Sequence, residues 1–166
     1  MKAGAAGRAL QVAALLVVTA CAQLERAAPE QPVFELAGRL AARQGEEAFS
    51  GNIAWRHGAD ADEMLITTPI GQGVARIVRD RNGVVLTTAE PKEYRGPDAE
   101  SISEQALGYR LPLQGLADAV RGLPATELEK RGWKVEILER DAEGRPRRLR
   151  LSYPGVDLRL AISEWK

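Results

Sequence analysis

The chain is poor in the residues that most often carry chemistry. Its 166 residues include one cysteine, Cys21, and one histidine, His57. A lone cysteine cannot form an internal disulfide, so oxidative staples do not hold this fold. A Ser-His-acid triad would have to recruit His57, and no G-x-S-x-G turn accompanies it. His57 stands beside a charged turn and reads as a solvated turn residue. The sequence has neither His/Cys clusters at metal-ligand spacing nor a glycine loop that could cradle phosphate. Glu46-Glu47 and Asp60/Asp62 read as loop charges rather than an acid–base pair. These gaps predict no catalytic residue, no metal and no cofactor. Lys plus Arg and Asp plus Glu both total 23, for a formal net charge of zero, so the basic field that nucleic acid requires is missing. Aromatic residues make up only 5%, which leaves few bulky rings to fill the inside of a wide sheet. No apolar run is long enough to span a bilayer as a helix.

What is present begins at the N-terminus. Lys2 and Arg8 precede an uncharged run, residues 9–20, in which only Gln11 and Thr19 are polar. The run has the length of a signal h-region. It ends in Val18-Thr19-Ala20-Cys21, small residues before a cysteine, which is the pattern of a bacterial lipobox. Residues 1–20 are therefore read as a lipoprotein signal peptide and Cys21 as the lipidation site. An ordinary secretory signal with an incidental cysteine is the weaker reading. Several acyl chains, each CH₂ worth roughly 0.8 kcal/mol when buried, would hold the domain on a membrane. Ala22 follows where Asp would favour inner-membrane retention in enteric-type sorting, so the outer membrane is expected. Residues 21–32 are polar and punctuated by Pro29 and Pro32, as a tether is. Residues 24–28 have room for one helical turn.

The remainder, residues 33–166, reads as one domain. Phe34, Leu36, Leu40 and Ala42 alternate with charged or small residues, and Gly38 on the inner face suggests a bulge. Phe49, Gly51, Ile53 and Trp55 share the next inner face. Asn82-Gly83 marks a hairpin, followed by a strand that carries Leu86. After residues 96–98 the period changes. Ala99, Ile102, Ala106 and Leu107 form one helical stripe; Leu113, Leu116, Ala117 and Val120 form a second, opened by Pro112. Strands resume with Trp133, Val135 and Ile137, then Leu149, Leu151 and Tyr153, then Val156, Leu158, Leu160 and Ile162. The reading is eight to eleven short strands, each with one apolar face, and helices inserted once. That predicts a mainly β (α+β) fold: an unclosed, curved antiparallel β-barrel with a short helical plug or lid. The Arg147-Arg148-Arg150 cluster alternates with leucines and reads as a solvated face.

One turn departs from habit. Residues 66–75 carry no charge, and Ile70 lies at the apex of a break made by Pro69, Gly71 and Gly73. Turn tips are normally polar. By residue type alone, Ile70 folds back under the sheet or is an isolated exposed apolar residue.

Several markers occur in order: Phe49-Ser50-Gly51 with Trp55, Thr68-Pro69-Ile70-Gly71-Gln72, Leu107-Gly108, Leu111-Pro112-Leu113, Gly122-Leu123-Pro124, Gly132-Trp133, and a terminal Ile162 with Trp165. Behind a lipobox, this ordered set resembles the LolB family of outer-membrane lipoprotein receptors over residues 34–165. The resemblance implies a helical lid over an apolar cavity that holds acyl chains. The candidate lining is Phe34, Leu36, Leu40, Phe49, Ile53, Trp55, Leu86, Ile102, Leu116, Val120, Trp133, Leu149, Leu151 and Leu160. It also implies a membrane-insertion loop at Pro69, Ile70 and Gly71, with Ile70 as its hydrophobic residue. The implied partners are a LolA-like periplasmic carrier, acylated lipoprotein cargo and the inner leaflet of the outer membrane, reached through lipid on Cys21. The implied unit is a monomer on the periplasmic face. Two competing readings remain: a scaffold lipoprotein with a packed core, and a lipid-binding lipoprotein unrelated to sorting. The chain departs from the family pattern in three places: an N-terminal lid helix shortened to residues 24–28 or missing, Ala119 where many relatives carry Trp, and C-terminal strands joined by minimal turns.

Overall fold

The computed structural model describes Pro29 and residues 31–166. The signal peptide, Cys21 and the single turn read at residues 24–28 lie outside the described residues. Nine strands form one sheet. In chain order they are β1 (Phe34–Gln44), β2 (Glu47–His57), β3 (Asp62–Thr67), β4 (Gly73–Asp80), β5 (Gly83–Thr88) and β6 (Glu93–Gly96), then β7 (Lys134–Arg140), β8 (Pro146–Tyr153) and β9 (Val156–Trp165). Three helices separate β6 from β7: α1 (Ala99–Leu107), α2 (Leu113–Val120) and α3 (Thr126–Lys130).

The spatial order is β6-β5-β4-β3-β2-β1-β9-β8-β7. Every pairing is antiparallel. β6 and β7 end the order without pairing to each other, so the barrel is unclosed, as expected. The period-2 pattern sets the faces. Phe34, Leu36, Leu40 and Ala42 of β1 are buried, while Arg39 and Arg43 are exposed. Where β1 meets β9 the register shifts between Ala37 and Gly38. A Cβ on Gly38 would sit 2.3 Å from the Ala161 carbonyl oxygen, so only glycine permits this approach. The bulge increases local twist and bends the sheet around its concave face.

The helical insert fills that face. Asp98 caps α1 by accepting from the Ser101 amide at 2.8 Å, and Gly108 ends it in the left-handed region at φ 78°. Ala99 and Ile102 are buried as read, but Ala106 and Leu107 are only half-buried, and Ser103 takes a buried place instead. In α2 the backbone breaks at Gln114 and Gly115. Leu113, Leu116, Ala117 and Val120 are buried as expected, with Ala119 beside them. Ala119 thus lies in the plug interface, where a side chain the size of Trp would need its own space. Residues 125–131 contain α3, whose Leu128 is fully buried.

β7 keeps strict alternation, which puts Leu138 on the outward face with Lys134 and Glu136. Register shifts flank Glu139, and Leu138 is turned out to 57% exposure. Trp133 precedes β7 and is buried against the core.

The close approach at Gly38 yields a direct expectation. Gly38→Ala forces a methyl into a backbone oxygen that cannot swing aside. The loss should be about 2–3 kcal/mol, read as a lower urea midpoint at unchanged slope.

Candidate functional site

The turn between β3 and β4 is built from its own hydrogen bonds. The Gly71 amide donates to the Thr68 carbonyl at 2.9 Å, and the Thr68 amide donates to the Gln72 carbonyl at 2.7 Å. The Gln72 amide donates to Thr68 Oγ1 at 3.1 Å, and Asn52 Nδ2 donates to the Thr68 carbonyl at 3.3 Å. Gly71 takes φ 86°, a conformation a side chain would strain. Pro69 fixes the preceding corner. The result is a stiff tip with Ile70 82% exposed, the most exposed large apolar residue among those described. The reading that Ile70 folds back under the sheet is therefore overturned: with four hydrogen bonds closing the turn, its side chain projects away from the core.

The interior gathers the other candidates. Phe34, Leu36, Leu40, Ile53, Trp55, Leu86, Ile102, Leu116, Val120, Trp133, Leu149, Leu151 and Leu160 belong to one buried cluster, and Phe49 packs against it half-buried. Little empty space remains among them. One apolar void of about 10 Å³ lies between Leu40, Ile53, Leu116, Leu151 and Leu160, together with Met64, Leu111 and Leu158. That is room for about one water molecule. The interior of the described state is closed by α2 and the segment leading into it.

Polar contacts hold the plug down at the rim. Gln44, the last residue of β1, donates from Nε2 to Glu104 Oε1 at 2.8 Å and accepts from the Arg110 amide at 3.1 Å. Arg110 Nε completes the triangle on Glu104 Oε2 at 2.8 Å. The Glu104 carboxyl is held below its ordinary 4.5, first by the Gln44 amide and then by Arg110. Behind them the Leu111 amide donates to Ser103 Oγ at 2.8 Å. Trp133 Nε1 donates to Glu100 Oε2 at 3.2 Å, and Arg131 Nη1 lies 3.0 Å from Glu100 Oε1 as an ion pair outside hydrogen-bond geometry. Tyr109 stacks on Phe49 at 5.6 Å, and its hydroxyl is buried without a hydrogen-bond partner. Burial pushes that phenol well above its ordinary 10. An unsatisfied buried hydroxyl penalises the closed state.

The opposite end of the sheet holds a carboxylate that sequence reasoning placed in solvent. Asp62 is 2% exposed. Its Oδ1 accepts from His57 Nδ1 at 2.6 Å and Trp55 Nε1 at 2.9 Å, and its Oδ2 accepts from Arg79 Nε at 2.5 Å. His57 stacks on Phe34 at 4.8 Å. It is a half-buried corner residue engaged with a carboxylate, not a solvated turn residue, because β3 begins at Asp62 and turns that side chain inward. The signal available was parity: Asp62, Met64 and Ile66 lie two apart.

A second concavity lies on the outer face of β3–β6, with a volume of about 820 Å³. Leu65, Val78 and Val85 form its floor, with Thr87 beside them and Gly71 and Gly73 at one end. Val78 and Val85 are buried yet stand apart from the core cluster. Arg76–Glu63 (2.7 Å) and Arg95–Glu93 (2.5 Å) pairs flank the floor. The sequence carried the sign of it in Met64-Leu65-Ile66, Ile77-Val78 and Val84-Val85-Leu86, where adjacent apolar residues break strict alternation.

The described residues thus form an unclosed antiparallel half-barrel with a latched helical plug and one stiff apolar tip. The chain belongs to the LolB family of outer-membrane lipoproteins: the family model described as "Outer membrane lipoprotein LolB" matches residues 32–165. A protein named "Outer-membrane lipoprotein LolB" from Thiobacillus denitrificans is 38% identical over 154 residues, covering 83% of this chain and 82% of its own length. One of the same name from Nitrosomonas europaea is 38% identical over 153 residues (80% and 72%). Another, from Chromobacterium violaceum, is 33% identical over 146 residues (80% and 80%).

Two outcomes follow from the polar contacts. Because the Glu104 value is depressed by folding, its contribution is present above pH 4.5 and is lost as pH falls through the lower folded value. Amide exchange at Arg110 and Leu111, corrected for intrinsic rate, should therefore rise on acidification below that point, and Glu104→Gln should abolish the pH dependence. Asp62→Ala leaves Arg79 and His57 facing an empty corner; it should lower unfolding free energy by about 3 kcal/mol in urea titrations.

Proposed function

We propose that this chain takes acylated lipoproteins from a LolA-like periplasmic carrier, holds their acyl chains beneath α1 and α2, and releases them into the outer membrane. It works as a lipid-anchored outer-membrane lipoprotein, tied through Cys21 to the leaflet facing the periplasm. Residues 33–166 form the single working domain, which acts as a monomer without enzymatic chemistry. The observation that carries this reading is Ile70: a large apolar side chain held 82% exposed on a rigid turn.

Cargo enters in exchange for the plug. With a void of only about 10 Å³, an acyl chain fits only where Leu111 and Leu116 have moved. The exchange swaps one apolar surface for another, so its net free energy is small beside the roughly 25 cal/mol per Å² that each burial is worth alone. The Gln44–Glu104–Arg110 triangle is the latch that must open. The Tyr109 hydroxyl favours opening, because it gains a partner once water reaches it.

Release uses the tip. Burying an isoleucine in lipid is worth about 1.5–3 kcal/mol, enough to bias one step and too little to anchor the protein. A scaffold lipoprotein is the second reading, favoured by the nearly solid interior. The two part on whether the plug lifts. A photo-crosslinker at Leu40 or Leu116 should capture lipidated cargo and miss the same cargo without acyl chains; equal or absent capture supports the scaffold. Ile70→Glu should accept cargo normally and deliver it at least about ten-fold more slowly. Delivery at the parental rate would remove the tip from the mechanism.

A further inference from the structure

We infer that the Tyr109 hydroxyl is the hydrogen-bond donor that receives an ester carbonyl of the cargo's diacylglyceryl group, and so sets how far the acyl chains enter. The inference deepens the acyl-holding reading above and rests on it.

The starting observation is an orphan. Among the described residues, two buried side-chain atoms lack a hydrogen bond: Glu100 Oε1 and the Tyr109 hydroxyl. Glu100 Oε1 has Arg131 Nη1 3.0 Å away, so its charge is met. Tyr109 is 5% exposed and has nothing comparable at its hydroxyl. A phenylalanine would supply the stacking on Phe49 and the core contacts equally well. In the closed plug the hydroxyl only adds the cost of a desolvated donor left unmade. It therefore answers to another state of the protein. Water satisfies it when the plug first lifts. Once cargo fills the space, water is expelled again, and the lasting partner has to come with the cargo.

Position names that partner. On β2 the concave face runs from Ile53, a wall of the small void, through Gly51 to Phe49, which stacks on Tyr109 at 5.6 Å. A Cβ on Gly51 would lie 2.5 Å from Phe49 Cζ, so the bare glycine lets that ring close over it. At its start β2 pairs Glu47 with Gln44 of the latch. In the chain, Tyr109 is followed by Arg110, which closes the latch, and by Leu111, which lines the void. Tyr109 thus stands at the neck between the leucine interior and the polar rim. An acyl chain lying along those leucines puts its carbonyl at that neck. The ester carbonyls of a diacylglyceryl group are acceptors with no proton of their own, and a phenol O–H is a donor. Burial holds this phenol well above its ordinary 10, so it keeps its proton throughout the neutral range.

The test is a binding cycle on the full lipidated chain in nanodiscs, with empty nanodiscs as the reference. The probes are a water-soluble peptide whose terminal cysteine carries a dihexanoylglyceryl group, and its dihexyl ether counterpart, which keeps the chains and lacks the carbonyls. The ester-over-ether affinity ratio should fall at least about five-fold from the parent to Tyr109→Phe. The same substitution should raise the urea midpoint, because it removes the orphan from the closed state. An unchanged ratio overturns the inference, even where Tyr109→Phe weakens both probes alike, since a uniform loss reports only a plug that closes more tightly. A lowered urea midpoint also overturns it, because the hydroxyl is then partnered in the closed state. A parent chain that binds neither probe fails the acyl-holding reading itself, whereas binding without the change in ratio fails only the ester contact.

Discussion

A sheet that never closes must have its concave face covered by something other than itself. Here that cover is the insert between β6 and β7, and every other feature depends on how firmly it sits. The sheet supplies curvature through the Gly38 bulge, where β1 and β9 approach closer than a side chain allows. The insert supplies Ile102, Leu111, Leu113, Leu116 and Val120, which complete the core. Neither part can bury its apolar surface alone. The closed state is thus a contact between two halves of one chain, and such a contact can be replaced by other matter of like polarity.

The two ends of the molecule are built differently. Around Asp62 a buried carboxylate is met by Trp55, His57 and Arg79, with Phe34 stacked on the imidazole. No part of the helical insert takes part in those bonds. At the rim, Gln44, Glu104 and Arg110 join β1 to the insert through partly exposed groups, which water can compete for. One end of the sheet is therefore fixed, while the cover is fastened by bonds of modest strength. In the proposed function, passage of lipidated cargo runs down a series of affinities. Weak fastening at the rim keeps the first step of that series shallow.

Much of this was legible in residue order. Period-2 runs in β1, β2, β8 and β9 and the change to a helical period after Asp98 define the half-barrel and its insert, because alternation and helical spacing are backbone geometry written in side chains. The Asn82-Gly83 hairpin and the Gly108 helix stop follow from turn chemistry. Other features depend on contacts far apart in sequence. Asp62 looked like a loop charge until its parity with Met64 and Ile66 put it inside. Ser103 and Glu100 lie off the apolar stripe that the helical period marks on α1, yet they meet Leu111 and Trp133. The direction of Ile70 depends on hydrogen bonds closed by Thr68 and Gln72, which residue type alone does not encode. The packed interior was not legible either, since the same leucine stripes describe a core and a hollow.

The free edges have a consequence of their own. Any protein that lifts a cover off an open sheet risks offering strand edges to other chains, the usual beginning of aggregation. β6 is only four residues long, and α1 packs against it. β7 sets Lys134 and Glu136 on its outward positions, and its pairing with β8 slips twice around Glu139. Both borders are thus poor templates for a foreign strand, which suits a domain whose proposed work requires its cover to lift.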